Sequence, residues 1–353
     1  MYNFFSGKIY ITDTEFISSN SFARISDVVF SEVISENEFK DIKSMDSLVI
    51  DKPFSEIDYL NTKFDLKENY VIFCNTEYLE TLFTKLNKVD NLNNLKLITQ
   101  WSDRPITKKL FNQKPKCISN WYASHVDYTH DNLHPIPLGL SGDYSPKNLL
   151  KKHFVDFYNL ETQPNKENLL YVNFQQNTNN KIRSRIFDSF SKHNWVKIDT
   201  PNKNLSEYLY SLASSKFVLC PFGNGYDTHR LWEVLYAGSI PVVENHITYG
   251  ATKDLPVLKI DSFDNLNEKK LNDFYDQLEN QDFSFESLKI EYWNSLIRQG
   301  NTTQNQENTF SIRFTKFEQS KMKIFRKISM LFKSNLKKIN FRINQIKNLF
   351  NLT

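Results

Sequence analysis

Residues 215–243 constrain this chain more than any other stretch. Ser215-Lys-Phe-Val-Leu-Cys-Pro-Phe-Gly-Asn-Gly-Tyr-Asp-Thr-His-Arg-Leu-Trp-Glu-Val-Leu-Tyr-Ala-Gly-Ser-Ile-Pro-Val-Val243 reads as strand, glycine turn, helix, glycine, strand. Such a unit hides its apolar strands only inside a larger parallel sheet covered by helices. The chain has only 8 glycines, so three of them in one unit mark a place where the backbone needs room. Gly223 and Gly225 allow a ligand to come close to the main chain. Asp227 or Thr228 can cap the helix that follows. Its N-terminus offers free N–H groups and a partial positive charge, which suit a diphosphate. Arg230, in the first turn, adds a fork for phosphate oxygens. Helical spacing puts Leu231, Val234, Leu235 and Gly238 toward the sheet and His229, Glu233 and Tyr236 on the other side. Glu233 is therefore read as lying off the core, with a carboxylate able to accept both hydroxyls of a ribose.

The same alternation runs through the chain. In the first half, strands are expected at Lys8–Thr12, Asp27–Val33, Ser47–Ile50, Tyr70–Cys74 and Leu95–Thr99, with a helix over Thr76–Leu86. A proline-rich turn at His134–Gly139 and a polar segment from Pro146 to Lys152 point to an interdomain connection. The second half restarts with strand Leu169–Phe174, helix Asn180–Phe190, strand Trp195–Ile198, helix Leu205–Ala213 and strand Phe217–Cys220. Helix Thr228–Tyr236 and strands Ile240–Val243 and Val257–Ile260 complete it, and residues 264–299 read as closing helices. The expected fold is α/β: two Rossmann-like domains facing across a cleft, over residues 1–150 and 151–300. Residues 301–353 form a linker, Asn301–Asn308, and a tail. A chain of 353 residues is too long for one core, which agrees with two.

The tail sets the charge balance. Residues 301–353 carry 11 Lys and Arg against 2 Asp and Glu, and the rest carries 33 against 39. An acidic body argues against a nucleic-acid enzyme. From Lys321 the apolar residues Phe325, Ile328, Phe332, Leu336, Ile339, Ile343, Ile346 and Phe350 recur every three or four positions. That is an amphipathic helix with a lysine-rich face, suited to an anionic membrane surface through residues 321–350, to packing on the body of the protein, or to a coiled-coil partner. Cys74, Cys117 and Cys220 are odd in number and lie in apolar runs, so they read as reduced core thiols in a reducing compartment. The N-terminus lacks the apolar run of a signal peptide, and no stretch approaches 18 apolar residues. The expected location is cytoplasmic, with a peripheral place on the inner face of a membrane.

With these residues in view, a resemblance becomes specific. The run Cys220–Val243 resembles the nucleotide-sugar-binding motif of exostosin-like glycosyltransferases, including the ribitol xylosyltransferase branch. The resemblance extends to Tyr171-Val172-Asn173-Phe174 with Asn177-Thr178-Asn179 and Arg183, to Trp101–Thr107, and to His134–Leu140. It implies a two-domain fold of GT-B type and an inverting transfer from a nucleotide sugar, with UDP as the carrier. It also implies that Glu233 contacts the ribose and that Arg183 and Arg230 face the diphosphate. The donor-side set is then Asn173, Arg183, Gly223, Asn224, Gly225, Asp227, Thr228, His229, Arg230 and Glu233. Where the family often has Asn, before Val126-Asp127, this chain has His125.

Sugar transfer needs a stabilised diphosphate and a base for the acceptor hydroxyl. The sequence contains no Asp-x-Asp, the usual metal clamp for a diphosphate. Arginines and a helix N-terminus are expected to serve instead, with no metal and no cofactor. The base is expected from the first domain, with Asp103 and Asp127 ranked equally, His125 beside them, and Asp131 weaker. Two other readings stand: a sugar-nucleotide-binding protein without turnover, and a dinucleotide oxidoreductase using Gly223-Asn224-Gly225 with Glu244. The second lacks its third glycine, since Thr228 stands there.

Overall fold

The computed structural model describes residues 2–331 except 5–6, 10, 44–45, 143, 146, 161–163, 279–280, 282, 301–307 and 329. Two sheets organise it. The first is built from β1 (Val28–Ser35), β2 (Ser47–Asp51), β3 (Glu56–Asn61), β4 (Val71–Asn75), β5 (Leu95–Gln100), β6 (Ile118–Ala123) and β7 (Leu133–Pro135). Its spatial order is β7-β6-β5-β4-β1-β3-β2. Strands β7 to β1 run parallel, and β3 and β2 extend the sheet antiparallel. The second is fully parallel: β8 (Asn168–Val172), β9 (Val196–Ile198), β10 (Ser215–Leu219), β11 (Ile240–Glu244) and β12 (Leu258–Ile260), in the order β9-β8-β10-β11-β12. Two mainly parallel α/β halves with a cleft between them make an architecture of GT-B type.

Strand β4 explains why the first sheet is buried on both faces. Val71 and Phe73 point toward the second half, and Ile72 and Cys74 point toward helix α1 (Leu79–Leu86), where Leu79, Leu82, Phe83 and Leu86 cover them. A strand covered on both sides is apolar throughout rather than alternating. Helices α2 (Lys151–Tyr158), α3 (Asn180–Phe190), α4 (Leu205–Ala213), α5 (His229–Tyr236), α6 (Glu268–Leu278) and α7 (Ile290–Arg298) follow. Helices α3 and α4 have the bounds read from the sequence.

Several elements differ from the sequence reading. Strands β3 and β6 were not expected. Ser119 and Asn120 interrupt the apolar run of β6. His134-Pro135, read as a turn, belongs to β7, an edge strand that tolerates proline because one side needs no amide donor. The connection expected to begin near Pro146 contains helix α2, whose Phe154 and Phe157 are buried. Thr309–Arg313 is a strand, pairing antiparallel with Lys63–Lys67 of the first half. The tail is helical over 316–328. It is fastened there by an ion pair between Arg326 and buried Asp58 at 3.1 Å. Residues 301–307 of the expected linker, and Phe332, Leu336, Ile339, Ile343, Ile346 and Phe350 of the tail, lie outside the described residues. The three cysteines are buried and unpaired. Among the described residues no helix is long and apolar enough to cross a membrane.

Tyr236 corrects the helical-face reading. It was placed off the core, yet it is fully buried. Helix α5 is covered on both sides: the sheet lies under one, and Phe16, Phe154 and α2 cover the other, with the Phe16 ring 4.9 Å from that of Tyr236. The Tyr236 hydroxyl accepts from the Ile17 amide at 3.0 Å and donates to the Leu288 carbonyl at 2.7 Å. It thus joins the N-terminal segment, α5 and the segment before α7. Tyr236→Phe leaves two buried backbone groups without a partner and is expected to cost about 1–3 kcal/mol. Urea unfolding followed by circular dichroism checks this: the midpoint falls while the native spectrum is kept, and an unchanged midpoint contradicts the assignment.

Candidate active site

The strands of both sheets deliver their C-terminal ends to one cleft of about 460 Å³. Gln100 ends β5, His125 follows β6 and Leu138 follows β7; Gln175 follows β8, and the glycine turn follows β10. Ligands of open α/β sheets sit at this edge, because loops leaving in different directions open a crevice there.

The start of α5 forms the second-half wall. Thr228 is its N-cap residue by backbone geometry, and His229 and Arg230 open the helix. Arg230 Nη1 donates to the Tyr208 hydroxyl at 2.8 Å, and that hydroxyl donates to Glu233 Oε2 at 3.0 Å. Burial works against the Arg230 charge, but neighbouring Tyr208 and Glu233 outweigh it, and the guanidinium pKa moves up. A cation and a carboxylate, one helical turn apart, are thus locked to one phenol. Glu233, whose spacing placed it off the core, is only 5% exposed; it is buried and lines the cleft. Tyr208 carried no sequence signal, because an aromatic within α4 reads as ordinary core.

Arg183 lines the cleft, with most of its donors engaged by neighbouring loops. Its Nε donates to the Phe222 carbonyl at 2.8 Å, Nη1 to the Gln175 carbonyl at 2.8 Å and the Thr178 hydroxyl at 2.7 Å, and Nη2 to the Pro221 carbonyl at 2.9 Å. These bonds take four of its five N–H donors. Burial, reinforced by the Arg230 charge, lowers its pKa to about 10. Arg183 therefore fastens the glycine turn to the loop after β8, and one Nη2 hydrogen remains for the cleft.

Asp227 joins the two halves. Its carboxylate accepts from the Leu138 amide of the first half at 2.9 Å, from the Thr228 amide at 2.8 Å, and from the Trp232 indole at 2.9 and 3.0 Å. Burial pushes its pKa up to about 7 against the pull of these donors. Its own amide donates to His125 Nδ1 at 3.2 Å. His125 is 3% exposed, and burial with two neighbouring histidines lowers its pKa to about 4. Accepting at Nδ1, the neutral ring carries its proton on Nε2, so it presents a donor rather than a base. His229 has the opposite tautomer. Its Nδ1 lies 2.8 Å from the Gly139 carbonyl, an acceptor only, so the neutral ring keeps a lone pair on Nε2.

The two aspartates ranked equally as base lie in different places. Asp103 lines the cleft at its exposed mouth. The surrounding walls raise its carboxyl above the usual range, against the pull of His229 and a hydrogen bond from the Asn224 side chain. Asp127 is not a cleft residue. It lies in a two-residue strand, Val126–Asp127, paired with Ile106–Thr107, and its carboxylate faces His246 Nε2 at 3.6 Å. Asp131, in the turn before β7, is exposed and also outside the cleft lining. Asn173 is likewise displaced from the donor set: its amide donates to the Tyr171 hydroxyl at 3.0 Å and the Thr200 carbonyl at 3.1 Å, away from the cleft. Gly223, Asn224, Gly225, Thr228 and His229 all line it. Glu244, the acid of the dinucleotide reading, does not; it accepts from the Phe263 amide at 3.2 Å. Among the described residues no group of three His, Cys, Asp or Glu side chains could hold a metal ion.

Residues 149–270 match the model of the RXYLT1 C-terminal domain, of the ribitol xylosyltransferase family, which supports a glycosyltransferase. That stretch contains the glycine turn, Arg183, Tyr208, Arg230 and Glu233. No curated protein matches the chain. An α1,3-fucosyltransferase crystallised with GDP-fucose is 13% identical, covering 67% of this chain and 80% of that one, with a TM-score of 0.33. A second α1,3-fucosyltransferase structure is 13% identical, covering 80% and 92%, with a TM-score of 0.38.

Gly225 marks where the halves meet. A Cβ there would lie 2.5 Å from His125 Cε1, 2.9 Å from His125 Nε2 and 3.1 Å from Asp103 Oδ1. At Gly223 it would meet only Arg183 Nη2 within 3.4 Å, at 3.2 Å. Gly225→Ala is expected to destabilise the fold by about 1–3 kcal/mol, as overpacking does, and Gly223→Ala by less. Thermal unfolding of the two variants checks the order, and the reverse order contradicts this packing.

Proposed function

We propose that this chain moves a sugar from a nucleotide-sugar donor, a UDP-sugar, to a hydroxyl of a glycan or related acceptor, with inversion and without a metal ion or cofactor. The observation that carries the reading is the Arg230–Tyr208–Glu233 chain at the head of α5, beside the glycine turn. In this reading the diphosphate lies over Gly223–Gly225 against the α5 N-terminus, where helix amides and the Arg230 charge stabilise it. The ribose hydroxyls donate to Glu233. The UDP carrier follows from the resemblance of Cys220–Val243 to exostosin-like enzymes.

The transfer is a single displacement. The acceptor oxygen attacks the anomeric carbon from the face opposite the diphosphate, and the bond to the diphosphate breaks with its electron pair leaving on the nucleotide. The acceptor proton passes to Asp103, the cleft carboxylate contributed by the first half. His125, with its proton on Nε2, donates to a ligand oxygen. Arg183 acts mainly by holding the turn.

The reading includes a peripheral place on the cytoplasmic face of a membrane through residues 321–350. Its support is the described start of the tail helix. Ile324, Phe325, Ile328 and Leu331 are 59%, 72%, 46% and 64% exposed, whereas Met322 packs on the first-half core. Lys321, Lys323 and Lys327 stand among them, a composition suited to an anionic lipid surface.

Two measurements test these statements. Arg230→Ala and Glu233→Gln each remove a charged hydrogen-bond partner worth about 1.5–3 kcal/mol. Titration calorimetry should therefore show UDP affinity falling roughly 10- to 150-fold with folding intact; unchanged affinity in both contradicts the donor site. Tight UDP binding with no transfer to any acceptor would instead indicate a binding protein. For the tail, Phe325→Ser with Leu331→Ser should weaken binding to anionic vesicles without changing UDP affinity, and undiminished vesicle binding rules the surface out.

A further inference from the structure

Gln100 and Trp101 are consecutive residues, and both line the cleft. In an extended strand their side chains would point to opposite faces. Trp101 has φ 69°, in the left-handed region, and this turn lets both face the same way. A bulky side chain in that conformation costs about 1 kcal/mol or more, a strain that persists only where surrounding structure enforces it.

The polar groups so presented are complementary. Gln100 is 1% exposed, and its Nε2 donates to the Pro137 carbonyl at 2.8 Å. Its Oε1 is buried and has no partner among the described residues, and the Trp101 indole Nε1 is in the same condition. An acceptor and a donor on consecutive cleft residues, each without a partner among the described residues, suit a hydroxyl, which donates and accepts at once. The Tyr144 ring packs on Trp101 with centroids 4.9 Å apart. Tyr144 also lines a second cavity of about 890 Å³ that reaches Ser18 and Asn20. The charges of that cavity are mostly acidic. Its two bases are engaged, Arg24 by Glu32 and Glu38 and Lys151 by Asp13. Glu36, Asp41 and Glu291 have no such ion pair among the described residues.

We propose that Gln100 Oε1 and Trp101 Nε1 bind a hydroxyl of the acceptor, whose remainder occupies the cavity beyond Tyr144. The acceptor is then a neutral or amino-bearing polyol or glycan, not a phosphorylated or carboxylated one. The inference rests on the sugar-transfer reading. Gln100 and Trp101 lie on the first-half wall of the cleft, opposite the second-half turn that holds the nucleotide, and the cavity beyond Tyr144 is lined by first-half segments and the starts of α2 and α7. Unpaired acidic groups around the cavity repel a second anion.

The test measures UDP release from a panel of UDP-sugars, each paired with methyl glycosides and alditols, amino sugars, uronates or sugar phosphates, for the wild type and Trp101→Phe. Phenylalanine keeps an aromatic ring beside Tyr144 and removes the indole N–H together with part of the bicyclic ring. The expected result is turnover with neutral or amino-bearing acceptors, and an acceptor KM raised about tenfold or more in Trp101→Phe. The Kd for UDP should be unchanged, because the nucleotide lies on the second-half turn. An unchanged acceptor KM, a preference for anionic acceptors, or a weakened UDP affinity in Trp101→Phe overturns the assignment. UDP binding without release from any neutral or amino-bearing acceptor also overturns it. Failure of the wild type to bind UDP overturns the sugar-transfer reading itself, and this inference falls with it.

Discussion

The cleft depends on one buried carboxylate. Asp227 accepts from the first half at Leu138 and from its own helix at Thr228 and Trp232, while its amide holds His125. A buried carboxylate is costly unless donors surround it. Here the donors come from both halves, so the turn between Gly223 and Thr228 is set only when the halves are together. Gly225 then fits against His125 and Asp103 with no room for a Cβ. The catalytic candidates of the first half and the donor candidates of the second are brought together by this joint.

The joint also explains why charged residues that look alike in sequence have different roles. Arg183 and Arg230 both stand near the turn, yet Arg183 spends four donors on loop oxygens, whereas Arg230 is held by a phenol that also binds Glu233. The first arginine shapes the turn; the second gives one donor to the phenol and lines the cleft. A similar division separates Asp103 from Asp127. Both follow first-half strands, but only Asp103 reaches the cleft, because the Val126–Asp127 strand pairs with Ile106–Thr107 and turns its carboxylate toward His246.

Much of the second half was legible from its sequence because each element is short, apolar and bounded by turn residues. Helices Asn180–Phe190 and Leu205–Ala213 show this. The glycine turn was legible for a local reason as well, since glycines mark close approach. What could not be read depends on tertiary neighbours. Strand β6 carries Ser119 and Asn120, and its place beside β5 decides it. Tyr236 and Glu233 are buried by Phe16, α2 and Tyr208, partners distant in sequence. Tyr208 and Gln100 have no local signature at all; one is a helix aromatic and the other ends a strand.

A crystal structure with UDP, grown in the presence of EDTA, tests the central claim most directly. The account predicts diphosphate oxygens over residues 223–225 at the head of α5, with both ribose hydroxyls on the Glu233 carboxylate. Nucleotide bound elsewhere, or bound there only when a metal ion is restored, would contradict it.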